Sequence, residues 1–133
     1  MSDFIVVHSD DVKIAEREQV NNLINLMARN SVEYDNLLGK ISSALESLEL
    51  EINYKQKYDV ILGVEFLLFK LRVKVTFETM KVKHLLGAEL PVSVQAKFKQ
   101  RSEYLSTYLI RLNEIRDEVA VIQKMVYTKN VNY

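Results

Sequence analysis

The residues from which a catalytic or metal site would have to be built are two histidines, His8 and His84, and a scatter of carboxylates. Neither histidine belongs to a His-Glu-x-x-His or Glu-x-x-His spacing, which would bring ligands onto one helical face, so each reads as a surface or capping residue. His8-Ser9-Asp10 contains the residue types of a hydrolytic triad, but a triad is a spatial arrangement that adjacent residues do not supply. Glu46 and Glu49, with Glu51 beside them, place acids on one helix face as a di-metal bundle would. No histidine follows at helical spacing, and the expected role is a solvated acidic face or one that meets a basic partner. Asp117 and Glu118 read as a solvated edge in the same way. The three glycines, at 39, 63 and 87, lie too far apart to cradle a phosphate. The chain has no cysteine, so disulfides, thiolate catalysis and the common zinc sites are excluded together. The expectation is a protein that is not an enzyme, with no cofactor and no metal site.

The chemistry that remains is electrostatic. Eighteen acidic and eighteen basic residues cancel overall, yet they are sorted along the chain. Residues 1–53 hold ten Asp/Glu against four Lys/Arg. Residues 70–101 hold Lys70, Arg72, Lys74, Lys81, Lys83, Lys97, Lys99 and Arg101 against only Glu78 and Glu89. Two readings follow. The basic block is a nucleic-acid-binding surface, with Phe77 and Tyr104 close enough in sequence to stack on bases. Alternatively it meets the acidic segment, within or between chains, with Phe77 in the core and Tyr104 as half-exposed packing. The second needs no further partner.

Scarce glycine (3) and proline (1) point to a few long elements rather than the many turns of a β-sandwich. At 133 residues the chain suits a single domain, 1–133. A heptad-like series runs Val20, Ile24, Met27, Ser31, Tyr34, Leu38, Ile41, Leu45, Leu48, Ile52, and then through Leu62, Phe66, Phe69 and Val73. Its strongly polar positions are Lys55 and Asp59, which predicts a break there. Ser9-Asp10-Asp11 offers caps for a start near Asp10 or Asp11, and Gly87 and Pro91 predict a boundary. A second seam, Val94, Phe98, Arg101, Leu105, Tyr108, Leu112, Ile115, Val119, Ile122 and Val126, is interrupted only by Arg101. The fold class expected is all-α: three helices, roughly 10–53, 59–86 and 91–127, in antiparallel hairpins with coiled-coil-like packing, an N-terminal arm at 1–9 and a frayed tail at 128–133. Alternation of β-branched residues in 72–78 and again in 92–98 keeps a short β-hairpin as the alternative for that stretch.

The apolar run Val60–Leu71 is too short and too charged for a membrane span, and the N-terminus has no secretory pattern, so a cytoplasmic protein is expected. The run instead suggests an oligomer interface, with Leu62, Phe66 and Phe69 from this stretch and Leu105, Leu112 and Ile115 from the second seam. In its size, its basic middle and the helix from Tyr104-Leu105-Ser106-Thr107-Tyr108-Leu109 through Leu112-Asn113-Glu114-Ile115, the chain resembles the small, cofactor-free recombination mediators of tailed bacteriophages. That likeness covers less than half of the chain and transfers no residue role; it implies a viral source, oligomerisation and single-stranded DNA binding. The residues themselves imply a helical assembly protein, structural, adaptor or inhibitor, that forms a homo-oligomer and binds protein partners. The alternative is a nucleic-acid-binding accessory protein using residues 70–101.

Overall fold

The computed structural model describes residues 14–50 and 53–131, which form three helices: α1 (Ile14–Leu50), α2 (Tyr54–Leu86) and α3 (Val92–Val131). At 1.5 Å per residue these are rods of about 50 to 60 Å. α2 lies between the other two and packs against both. Asn30 and Tyr34 of α1 meet Glu78 and Lys74 of α2, while Arg101 and Tyr127 of α3 meet Glu78 and Glu65. Both neighbours therefore run antiparallel to α2, and α1 and α3 run parallel to each other. No Cα atoms of α1 and α3 approach within 8 Å among the described residues. No strand occurs among the described residues, and no described helix is long and apolar enough to cross a membrane.

The first turn of the chain falls earlier than the polar seam positions suggest. Asn53 has an extended backbone (φ −87°, ψ 114°), and its side-chain oxygen accepts from the amides of Lys55 (2.9 Å) and Gln56 (3.3 Å). Its carbonyl accepts from Lys57 N at 3.0 Å, the first helical bond. Two otherwise unmatched amides are thus satisfied at once, so the helix starts at Tyr54 and Lys55–Asp59 is helical rather than a bend. The other boundary lies where Gly87 and Pro91 placed it. Gly87 stays right-handed (φ −79°, ψ −9°) and donates to the carbonyl of His84, while the Pro91 carbonyl accepts from Val94 and Gln95. The alternating segments 72–78 and 92–98 are both helical, which corrects the β-hairpin alternative: Val75, Val94 and Phe98 are buried at helical spacing, and that packing overrides local β preference. α3 continues to Val131, past the expected end at 127. The expected arm at 1–9 and the start near Asp10 lie outside the described residues.

Two of the three seams match the periodicity. On α1 the buried positions include Val20, Ile24, Met27, Tyr34, Ile41 and Leu48; on α3 they include Val94, Phe98, Leu105, Leu112, Ile115 and Val119. α2 departs from it. Its buried seam is Ile61, Val64, Leu68, Leu71, Val75, Glu78, Val82 and Leu85, again alternating steps of three and four, but displaced by two residues, about 200° around the helix, from the series continued through α1. The series does not carry its phase across the turn at 51–53, and α2 is apolar on two opposite faces. Replacing the cap, Asn53→Ala, is expected to cost about 1 kcal/mol in chemical denaturation and to lower helicity at the α1/α2 end, because the amides of Lys55 and Gln56 lose their acceptor.

Candidate interaction surface

The seam positions that are not apolar come together in one layer. Glu78 sits on α2 with about 1% of its surface exposed, Arg101 interrupts the seam of α3, and Ser31 is the polar member of the seam of α1. Arg101 donates through Nε to Glu78 Oε2 and through Nη2 to Oε1 (3.0 Å). Its other nitrogens reach α1, Nη1 to Ser31 Oγ at 2.8 Å and Nη2 to the Met27 carbonyl at 3.2 Å. Glu78 Oε1 also accepts from Asn30 Nδ2 (2.9 Å) and lies 2.9 Å from the Tyr34 hydroxyl, whose single proton is shared with the Lys74 carbonyl at 3.1 Å. Every helix contributes, and both carboxylate oxygens and all three guanidinium nitrogens are used. Such complete satisfaction is what makes a buried ion pair tolerable.

Tyrosines extend the layer. Tyr108 donates to the Tyr34 carbonyl at 3.1 Å, and their rings lie 5.6 Å apart. Tyr104 packs against Tyr108 and lies beneath the Arg101 guanidinium at 4.7 Å, a cation–π contact. Burial pushes the Tyr34 phenol well above its ordinary value, and the adjacent Glu78 charge adds to the shift. Burial likewise pushes Tyr108 up to about 12.

The basic residues do not form one patch. Arg101 is committed to Glu78, and Lys97 and Lys99 flank the buried Phe98 on opposite sides of α3. Lys74 pairs with Glu33 at 3.0 Å and so marks the α1 edge of α2; Lys70 and Lys81 share that edge by helical spacing. Glu65, which accepts from Tyr127 at 3.1 Å, marks the α3 edge, where Arg72 and Lys83 also fall by helical spacing. Lys74–Glu33 is the one pair among the described residues that joins the acidic and basic blocks, and with both side chains more than a third exposed it is worth at most about 1 kcal/mol.

Between these two cationic edges runs an apolar stripe. Leu62 (44% exposed), Phe66 (66%), Phe69 (65%), Phe77 (60%) and Met80 (62%), with half-buried Val73, lie on the face of α2 opposite its core seam. Phe77 is therefore not a core residue, while Tyr104 is the half-exposed packing residue expected. Of the residues expected at an oligomer interface, Leu62, Phe66 and Phe69 are exposed, whereas Leu105, Leu112 and Ile115 are buried in the bundle's own core. The latter three already face α2 and are not presented at a surface. The sequence reading missed Glu78 as the partner of Arg101, and Phe77 and Met80 as members of the stripe. The signal was present in the 61, 64, 68, 71, 75, 78 spacing once α2 is phased separately from α1.

Among the described residues no three acidic or histidine side chains converge as metal ligands. Comparison with protein-family models, with curated proteins and with solved structures finds no match.

Removing one member of the central pair leaves the other charge buried and alone. Glu78→Leu or Arg101→Leu is expected to destabilise by about 3–5 kcal/mol in denaturant unfolding, and Glu78→Leu with Arg101→Leu to recover most of that loss. The tyrosines set an alkaline limit. A phenol held neutral in the fold contributes stability that is complete below its unfolded value of 10.0 and is lost as pH rises from there through about 12. Helicity should fall over that window together with the rise of tyrosinate absorbance, and Tyr108→Phe should weaken the dependence.

Proposed function

We propose that this chain is a non-enzymatic assembly protein that works by self-association and by presenting helix faces to protein partners. The observation that carries this reading is the second apolar face of α2. Three phenylalanines, a leucine and a methionine stand exposed in register over about 27 Å of helix, a larger continuous patch than a solvated surface needs. A face of that spacing fits another helical surface, with side chains at steps of three and four as anchors.

The cationic edges of the same stripe support a second reading, in which a polyanion lies along α2 with Phe66, Phe69 and Phe77 stacking on bases. Leu62, Val73 and Met80 interleave with the phenylalanines and offer no stacking surface, so protein association is the stronger of the two.

Light scattering across a concentration series separates them. The wild type is expected to gain mass with concentration, and Phe66→Glu or Phe69→Glu to hold it at the monomer with helicity unchanged, because both side chains are exposed in the single chain. A wild type that is monomeric at high micromolar concentration, yet binds a single-stranded oligonucleotide with an affinity falling steeply with salt, would replace assembly with nucleic-acid binding.

A further inference from the structure

α2's outer stripe has a counterpart on the other side of the molecule. Where α1 and α3 reach their C-terminal ends a groove of about 780 Å³ opens between them, with Leu45, Leu48, Ile122, Met125 and Val126 as its apolar lining. Lys57, one helical turn before the core residue Ile61, also lines the groove, so it is floored by the inner face of α2 and opens away from the stripe. One molecule thus carries a convex apolar ridge on one side and an apolar groove on the opposite side.

The charges around the two features differ in sign. The groove is rimmed by Glu46 and Glu49 of α1 and Glu118 of α3, the last paired with Arg111 at 4.0 Å, against Lys57 and Lys124. The ridge is edged by Lys70, Arg72, Lys81 and Lys83, none of which has a carboxylate partner among the described residues, against Glu65 and, one turn before Leu62, Asp59. Arg72 Nε is buried with no hydrogen-bond partner, beside Phe69 and Val73. Ridge against ridge is the wrong match. An antiparallel pairing sets the Lys70–Lys81 edge against its own copy, a parallel pairing sets it against the edge carrying Arg72 and Lys83, and like charges so placed repel. Ridge into groove sets cations against carboxylates and apolar side chains against apolar side chains.

We infer that the α2 ridge of one molecule seats in the α1/α3 groove of a second copy, giving a heterologous, head-to-tail contact in which each molecule uses two different surfaces. Such a contact is not self-closing for a pair; repetition makes a ring or an open chain. The inference rests on the self-association reading and specifies its geometry.

Complementation tests it. Phe69→Glu blocks the ridge and leaves the groove; Met125→Glu blocks the groove and leaves the ridge, and both side chains are exposed in the single chain. Each variant alone is expected to be monomeric by light scattering, and an equimolar mixture to form a species of twice the monomer mass that does not grow further. Glu46→Lys with Glu49→Lys, on exposed positions of α1, is a second groove variant expected to behave as Met125→Glu does. Association of the wild type should weaken as salt rises. If Met125→Glu and the Glu46/Glu49 variant assemble like the wild type while Phe69→Glu does not, the contact is ridge on ridge and the head-to-tail geometry is wrong, although self-association stands. A wild type that stays monomeric, whether or not it captures an oligonucleotide or an anionic vesicle, removes both the geometry and the reading beneath it.

Discussion

The buried Glu78–Arg101 pair is the constraint that makes three long rods a defined structure. Heptad seams of Leu, Ile and Val offer many registers of similar energy, since each seam looks alike when slipped by one repeat. The pair breaks that degeneracy. A one-heptad slip of α3 along α2 would set Glu78 level with Val94 or Tyr108 and Arg101 level with Leu71 or Leu85, all buried or half-buried. Two charges would then lie unpaired, at a cost of about 3–5 kcal/mol each. Arg101 also fixes α1, because its guanidinium spans from Glu78 to the Met27 carbonyl and Ser31. α1 and α3 have no close backbone contact, so this side chain and the Tyr108–Tyr34 bond are polar links that hold them in parallel register.

A buried ion pair contributes little net stability relative to apolar residues of the same volume, since desolvation offsets most of its attraction. Its value here is selectivity among registers, and that has a consequence for the surface. A helix with apolar residues on two opposite faces has two ways to pack, and α2 is such a helix. Turning it by half a turn would bury Phe66, Phe69 and Phe77 and expose Ile61, Leu68 and Leu71, exchanging one apolar set for another. It would also carry Glu78 away from Arg101 and leave the guanidinium in the core without its carboxylate. The same pair that sets register therefore decides which apolar face of α2 is core and which is left outside.

That division explains how far the sequence could be read. α1 and α3 were legible because each has one apolar stripe, and Gly87 with Pro91 marks its boundary through backbone geometry alone. α2 was legible as a helix; its core seam was not, since its phase depends on partners distant in sequence. Lys55 and Asp59 looked like a break because they were assigned to a seam that had already ended at the turn. Their exposure on α2 is the ordinary consequence of starting a new helix at Asn53. The charge blocks were legible in sequence and misleading in space. Arg101 is counted with the basic block but neutralised within it by Glu78, and Lys97 and Lys99 are split across α3. The residues counted as one patch share sequence, not a face.

What survives of the charge asymmetry is more specific than a net value. Among the described residues a single pair, Lys74–Glu33, joins the two blocks. Cations remain along the edges of the ridge, and Glu46 and Glu49 remain at the far end of α1, where the antiparallel arrangement carries them away from the basic half of α2. An antiparallel hairpin brings the start of α1 to the end of α2, and the acids late in α1 necessarily lie beside the beginning of α2 instead. Chain order thus sets Glu46 and Glu49 apart from the basic half of α2, while Glu33 lies beside it. Separation of that kind cannot be relieved inside one chain without breaking the register set by Glu78 and Arg101. In the proposed head-to-tail contact it is relieved between chains, by staggering one molecule along the next.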